Sequence, residues 1–202
     1  MPRPPTQTKE KIVDAAMYLF WERGYNATAI ADILERAQAN SGSFYYFFKS
    51  KEALLNAVLD RYLESLDAII VAPVFEKMAD PIERIFGILA GYRERVIMTN
   101  YTYGCPLGRL VLEIDPGNLS ARQKLAANFT AWVSVIQRCL IDAKNRLQRD
   151  INVNDLAQFV LTVMEGAVMQ SRAHGSIEPF DASVSQLRNY FERLLVAGTP
   201  HT

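Results

Sequence analysis

Asn40-Ser41-Gly42-Ser43-Phe44-Tyr45-Tyr46-Phe47-Phe48 is too short to hold a helix by itself and too aromatic to be a solvent loop. Its chemistry divides in two. Asn40, Ser41 and Ser43 are small and polar, and Asn40 or Ser41 can cap a helix that runs to about Phe47. Phe44 and Phe48, four residues apart, fall on one helical face and are expected in a core, with Phe47 beside them. Gly42 lowers helix stability by roughly 0.5–1 kcal/mol relative to alanine, so a glycine near the helix start points to the close approach of another surface.

The flanking segments read as helices too. Upstream, Ile12, Ala16, Leu19 and Phe20 form one stripe over Thr8 to Arg23, with Thr8 as cap and Gly24 as stop. The first six residues are Pro-rich, hold Arg3 and read as a flexible arm. Thr28 is placed to cap a second short helix whose buried side carries Ile30, Ile33, Leu34 and Ala37. Three short helices joined by tight turns meet the physical demands of a helix-turn-helix, in which one helix crosses the DNA backbone and the next enters the major groove.

Downstream, Ser50 caps a fourth helix bearing Leu54, Leu55, Val58, Tyr62 and Leu66, which Pro73 ends or kinks. Asp80-Pro81 is a cap followed by proline at the first helical position. The span 99–117 holds Gly104, Pro106, Gly108 and Pro116 and reads as irregular, with one short helix around Leu107 to Ile114. Ser120 with Gln123 forms a capping box that opens the longest helix. Asn154 and Asp181 cap two more, over about 154–174 and 181–196. The expected fold is all-α: an N-terminal three-helix helix-turn-helix DNA-binding domain over residues 1–50, and a C-terminal helical ligand-binding and dimerisation domain over residues 51–202. The boundary falls where the fourth helix is shared.

Composition narrows the function classes. The 202 residues are 50% hydrophobic and 22% charged, enough apolar matter for a packed core. Lys+Arg and Asp+Glu both number 22, so a globally basic nucleic-acid coat is excluded, although a local binding face is not. Within residues 1–52 seven Lys/Arg face six Asp/Glu, a surplus of one, so weak nonspecific DNA binding is expected. Two cysteines make no disulfide framework. With neither a membrane-length apolar run nor a secretory leader, the expected setting is cytoplasmic, with no membrane partner.

The motif Gly24-Tyr25-x-x-Thr28, then Ile33 and Ala37, then Gly42-Ser43-Phe44-Tyr45-Tyr46-x-Phe48-x-x-Lys51-x-x-Leu54 resembles the N-terminal domain of TetR-family transcriptional regulators over about residues 8–55. Three departures stand out. Gln38-Ala39-Asn40 replaces the family's usual Gly-Val-Ser, Phe47 replaces its common histidine, and Leu34 replaces a usual alanine. The resemblance implies that Tyr45 binds phosphate. Thr28, at a helix start, and Lys49 and Lys51, at the start of the fourth helix, are expected on phosphates as well. Base edges are expected to be read by Gln38, Asn40, Ser41, Ser43 and Tyr46, with Gly42 letting the backbone come close.

The resemblance also implies a homodimer formed by the last two helices, where Gly166 and Ala167 permit close packing, and hence an inverted-repeat operator in double-stranded DNA. It implies a small-molecule effector, with Phe86, Leu89, Tyr92, Arg93, Tyr103, Cys105, Trp132, Met164 and Met169 as candidate lining. Repression is the family default. Some family members carry a cysteine in a comparable stretch and respond to oxidants or electrophiles. Here Cys105 lies in Tyr103-Gly104-Cys105-Pro106-Leu107-Gly108-Arg109, where a helix N-terminus and Arg109 could lower its pKa. Cys139 reads as core.

Two other classes compete. An enzyme would need more than the pair Cys105 and His174, which nothing orients. The chain has no metal-ligand spacing, phosphate loop or dinucleotide fingerprint, so neither a cofactor nor a metal is expected. A helical interaction or sensor protein with no specific DNA binding is the second alternative, and the small basic surplus keeps it open.

Overall fold

Prolines, asparagines and aspartates punctuate a succession of helices. The computed structural model describes residues 5–196. Among the described residues the α-helices are α1 (Pro5–Arg23), α2 (Ile30–Ala37), α3 (Ser41–Phe47), α4 (Lys51–Leu66), α5 (Ala72–Lys77), α6 (Pro81–Met98), α7 (Pro106–Glu113), α8 (Leu119–Asp142), α9 (Val153–His174) and α10 (Glu178–Leu194). No strand occurs among them; Leu147 and Leu195 form an isolated antiparallel bridge.

Several start signals act where the sequence placed them. Asn40 Oδ1 accepts the Ser43 amide at 2.8 Å, Ser50 Oγ accepts that of Ala53 at 3.1 Å, and Asp80 Oδ1 accepts those of Ile82 and Glu83 at 2.7 and 3.1 Å. Others act elsewhere. Helix α1 begins at Pro5, whose fixed φ suits a first helical turn, so Thr8 lies inside it and is no cap. Of the expected six-residue arm, residues 1–4, including Arg3, lie outside the described residues. Helix α8 is capped by Asn118, two residues before the expected Ser120, and α9 by Asn152, two before the expected Asn154. Asp181 lies in the first turn of α10 and forms a bidentate pair with Arg93 instead of capping. Before Pro73, α4 widens into a π-helical segment, Asp67–Val71, and α5 then restarts as an α-helix.

The described chain divides into two compact units. Of the described residues, the first holds 5–65 together with Pro106–Asn128, and the second holds Leu66–Cys105 together with 129–196. Helix α4 buries Leu54, Leu55, Val58 and Leu59 within the first unit, and α7 returns to pack on α1. The core of the first unit also takes Ile12, Phe20, Ile33 and Phe44, each fully buried. Such side chains contribute roughly 1.5–3 kcal/mol apiece, which is what holds three short helices in place. In the second unit α9 and α10 pack along their lengths, and Phe191 meets Phe86 edge-on at 5.5 Å.

Candidate nucleic-acid interface

Helix α3 is anchored by one aromatic and displays two. Phe44 is wholly buried, whereas Tyr45 and Tyr46 are 60% and 78% exposed. Tyr45 leans edge-on against Phe44 at 5.2 Å, and Tyr46 against Phe47 at 4.9 Å. Phe48 is core, but Phe47 is only half-buried, because the helix turns it toward its outer side.

The turn into α3 holds without a glycine. Gln38 adopts the left-handed conformation (φ 52, ψ 45), and its amide donates to Glu35 O. The Ala39 amide then donates to Leu34 O at 3.0 Å, closing the end of α2. Gln38, Asn40, Ser41, Gly42, Tyr45, Tyr46 and Lys49 are all exposed, and Ser43 is half-buried. A Cβ added at Gly42 would touch only Asn40 Oδ1, at 3.3 Å. Nothing inside the fold therefore demands a glycine there.

Two of the expected phosphate contacts, Thr28 and Lys51, are engaged within the fold. Thr28 is 1% exposed, and its hydroxyl donates to Gly24 O at 2.7 Å and to Leu19 O. Its amide donates to Tyr25 O, so neither group is left for a phosphate. Ala29 holds the cap position of α2, where the Asp32 carboxylate takes its amide at 3.0 Å. The Lys51 ammonium also turns inward, donating to Tyr25 O and lying 4.3 Å over the Tyr25 ring. Burial lowers its pKa, partly opposed by Glu113, and burial raises that of Tyr25, helped by Glu52.

In the second unit the expected ligand-contacting residues divide into groups. Tyr92 meets Trp132 edge-on at 5.3 Å, and its ionisation is coupled to Cys105 and Glu165. Burial pushes the pKa of Tyr92 well up, and it raises that of Glu165 against the opposing effect of Cys105. Leu89 and Met164 are buried, and Tyr103 is partly so. Phe86 instead packs on Phe191 beneath the Arg188 guanidinium. Arg93 is spent on Asp181, and Met169 is 63% exposed on the outside of α9. Glu165 was missed from the sequence. Arg109, expected to act on the Cys105 thiol, gives its guanidinium to Glu113 and to carbonyls of α1. Cys139 is buried, which raises its pKa to about 11.

An open groove of about 650 Å³ runs along α9 and α10 between Phe159, Val163, Gly166, Ala167, Leu187 and Tyr190. None of the expected ligand-contacting residues lines it. Among the described residues there is no cluster able to hold a metal ion, and no helix is long and apolar enough to cross a membrane.

Residues 12–58 match the family model for bacterial regulatory proteins of the tetR family. Residues 81–186 match the model for the C-terminal domain of LmrA/YxaF-like transcriptional regulators. The HTH-type transcriptional repressor DhaR of Mycobacterium sp. (strain GP1) is 30% identical over 192 residues, covering 94% of this chain and 93% of that one. The HTH-type transcriptional repressor ComR of Escherichia coli (strain K12) is 26% identical over 178 residues, 87% and 85% of the two chains. The fold is shared with regulatory protein TetR from Rhodobacter sphaeroides (TM-score 0.81, 20% identity, covering 93% and 98%). It is shared also with the reduced form of NemR from E. coli (TM-score 0.79, 22% identity, covering 96% and 100%).

Proposed function

The chain belongs to the TetR family and is a DNA-binding transcriptional regulator, not an enzyme; from that premise we propose a homodimeric repressor that binds an inverted-repeat operator and is released by a small molecule. The observation that carries the reading is α3 itself. It presents Gly42, Tyr45 and Tyr46 outward while burying Phe44 beneath them. In this reading Tyr45 and Lys49 bind phosphates, and Gln38, Asn40, Ser41, Ser43 and Tyr46 reach base edges. Lys51 and Thr28 hold the reading head together from inside.

The groove on α9 and α10 supports the two-fold. It is lined by apolar and small side chains, and Gly166 has nothing within 4 Å of an added Cβ, so a second copy of this chain can approach closely there. Tyr92, Cys105, Trp132 and Glu165 are the groups around which an effector would act. An electrophile or oxidant is the class a thiol among them favours. A ligand acts by stabilising one conformer over the other, a coupling free energy between its site and α3.

Selection of bound duplexes from a randomised pool, with the complex sized by light scattering, tests the proposal. Enrichment of an inverted repeat, bound by a two-subunit species with an affinity that falls steeply with salt, supports it. An unenriched pool favours the helical interaction protein, which the near-neutral first domain also suits.

A further inference from the structure

The open end of α1 is closed by a helix that lies more than eighty residues further along the chain. The last carbonyls of a helix have no following turn to donate to them and must find other partners. Arg109, on α7, supplies three: Nη1 donates to Glu22 O at 3.0 Å and to Trp21 O at 3.4 Å, and Nη2 donates to Arg23 O. Its Nε donates to Glu113 Oε1 at 2.9 Å, one turn further along α7. Glu113 then reaches past the end of α1. Its Oε2 accepts the Asn26 amide at 3.0 Å, and its main-chain carbonyl accepts Asn26 Nδ2 at 3.2 Å.

Charge and shape both suit this arrangement. A cation at a helix C-terminus is favoured by the macrodipole, and the planar guanidinium can serve a carboxylate and several carbonyls together. Both side chains are only about 21% exposed, so water screens the pair weakly. Gly24 completes the fit. Its φ is +92, and a Cβ there would stand 2.1 Å from Glu113 Oε1. The missing side chain is the space the carboxylate occupies.

What the pair holds is the turn that hands α1 to α2. Thr28 ties the same turn to Gly24 O, and Lys51 ties it at Tyr25 O. Beyond α2, only the turn at Gln38–Asn40 separates it from the exposed face of α3.

We propose that Arg109 and Glu113 are positioning residues for DNA recognition, fixing the α1–α2 turn from α7 so that α3 is presented at one angle. Neither is expected to touch DNA. The inference rests on the operator-binding reading for its DNA arm, but its exchange arm does not.

The test compares full-length wild type with Arg109→Ala, Arg109→Lys and Glu113→Gln. Amide exchange is measured without DNA. Affinity is measured both for the duplex pool enriched by wild type and for the unselected pool. Arg109→Ala is expected to speed exchange at Asn26, Thr28 and Ala29 at least tenfold. Its affinity for the enriched pool is expected to fall at least tenfold, and that for the unselected pool less than threefold. Arg109→Lys should recover little, because an ammonium cannot span three carbonyls and a carboxylate. Equal losses in both pools, unchanged exchange, or full rescue by lysine would overturn the proposal. If Arg109→Ala does not fold, Glu113→Gln, which keeps the side-chain shape and removes the charge, decides on the same readouts. If wild type enriches no duplex, the operator reading fails, while amide exchange still judges whether the pair holds the turn.

Discussion

Tyr45 leans edge-on against Phe44 with ring centroids 5.2 Å apart, yet Phe44 is wholly buried and Tyr45 is 60% exposed. Adjacent aromatics on one short helix therefore have opposite duties, and substitution should separate them. Tyr45→Phe keeps the ring and removes the hydroxyl. Unfolding in urea should move by less than about 0.5 kcal/mol, as expected for an exposed position. Affinity for the enriched duplex should fall about tenfold, the lower end for a hydrogen bond to a charged acceptor. Phe44→Ala should cost about 3–5 kcal/mol and take DNA binding with it through unfolding. A Tyr45→Phe protein that binds like wild type removes the phosphate role assigned here.

Gly42→Ala asks whether the duplex or the fold requires that glycine. Inside the chain an added methyl meets only Asn40 Oδ1, which must yield a few tenths of an ångström while keeping its bond to the Ser43 amide. Alanine also favours a helix over glycine by up to about 1 kcal/mol. Thermal stability should hold or rise. Operator affinity, measured by fluorescence anisotropy, should drop at least tenfold as the methyl enters the space left for the backbone of α3 to near the duplex. Unchanged affinity would mean that α3 does not make that approach.

Gln38→Gly separates folding from reading in the other direction. A left-handed residue that is not glycine carries a penalty of roughly 1–2 kcal/mol; glycine removes it, but its greater unfolded-state entropy costs roughly 0.5–1 kcal/mol. The variant should be more stable in urea by about 0.5–1 kcal/mol. If the Gln38 side chain reads a base, the stabilised protein should nevertheless discriminate less between the enriched duplex and one altered at that base pair. Stability that falls instead would show that the Gln38 side chain does more for the turn than its backbone strain costs.

Much of this was legible locally. Asn40, Ser50 and Asp80 cap the helices assigned to them because a cap bonds amides only two or three residues on, within reach of sequence reading. Asn118 and Asn152 are harder to read, because Ser120 and Asn154, polar groups two residues later, compete for the same role, and periodicity does not separate them. Thr28 has a residue type suited to a cap or a phosphate, but the carbonyls of Leu19 and Gly24 claim its hydroxyl. Arg109 and Glu113 show the limit most plainly. Their i,i+4 spacing is visible, but their partners at Trp21 to Asn26 are brought to them only by the tertiary fold. Glu165 did leave a trace: it lies four residues after Leu161 and three before Val168, both buried, so its charge interrupts an apolar face.

Glu165 yields a pH prediction whose sign is fixed by its surroundings. Burial raises its pKa in the folded chain, against the lowering effect of Cys105, so the native state holds this proton more tightly than the unfolded one. Its contribution to stability is therefore complete below the ordinary glutamate value of about 4.3 and is lost as pH rises through the raised folded value. Glu165→Gln presents a neutral side chain of the same shape at every pH. The thermal midpoint of the variant minus that of wild type should be smallest near pH 4.5 and should grow in favour of the variant toward pH 8. Scanning calorimetry of both proteins across that range checks it. Parallel curves would mean that the carboxylate is as well solvated in the folded chain as in the unfolded one. The Tyr92–Cys105–Glu165 cluster would then lose its support as the place where an effector acts.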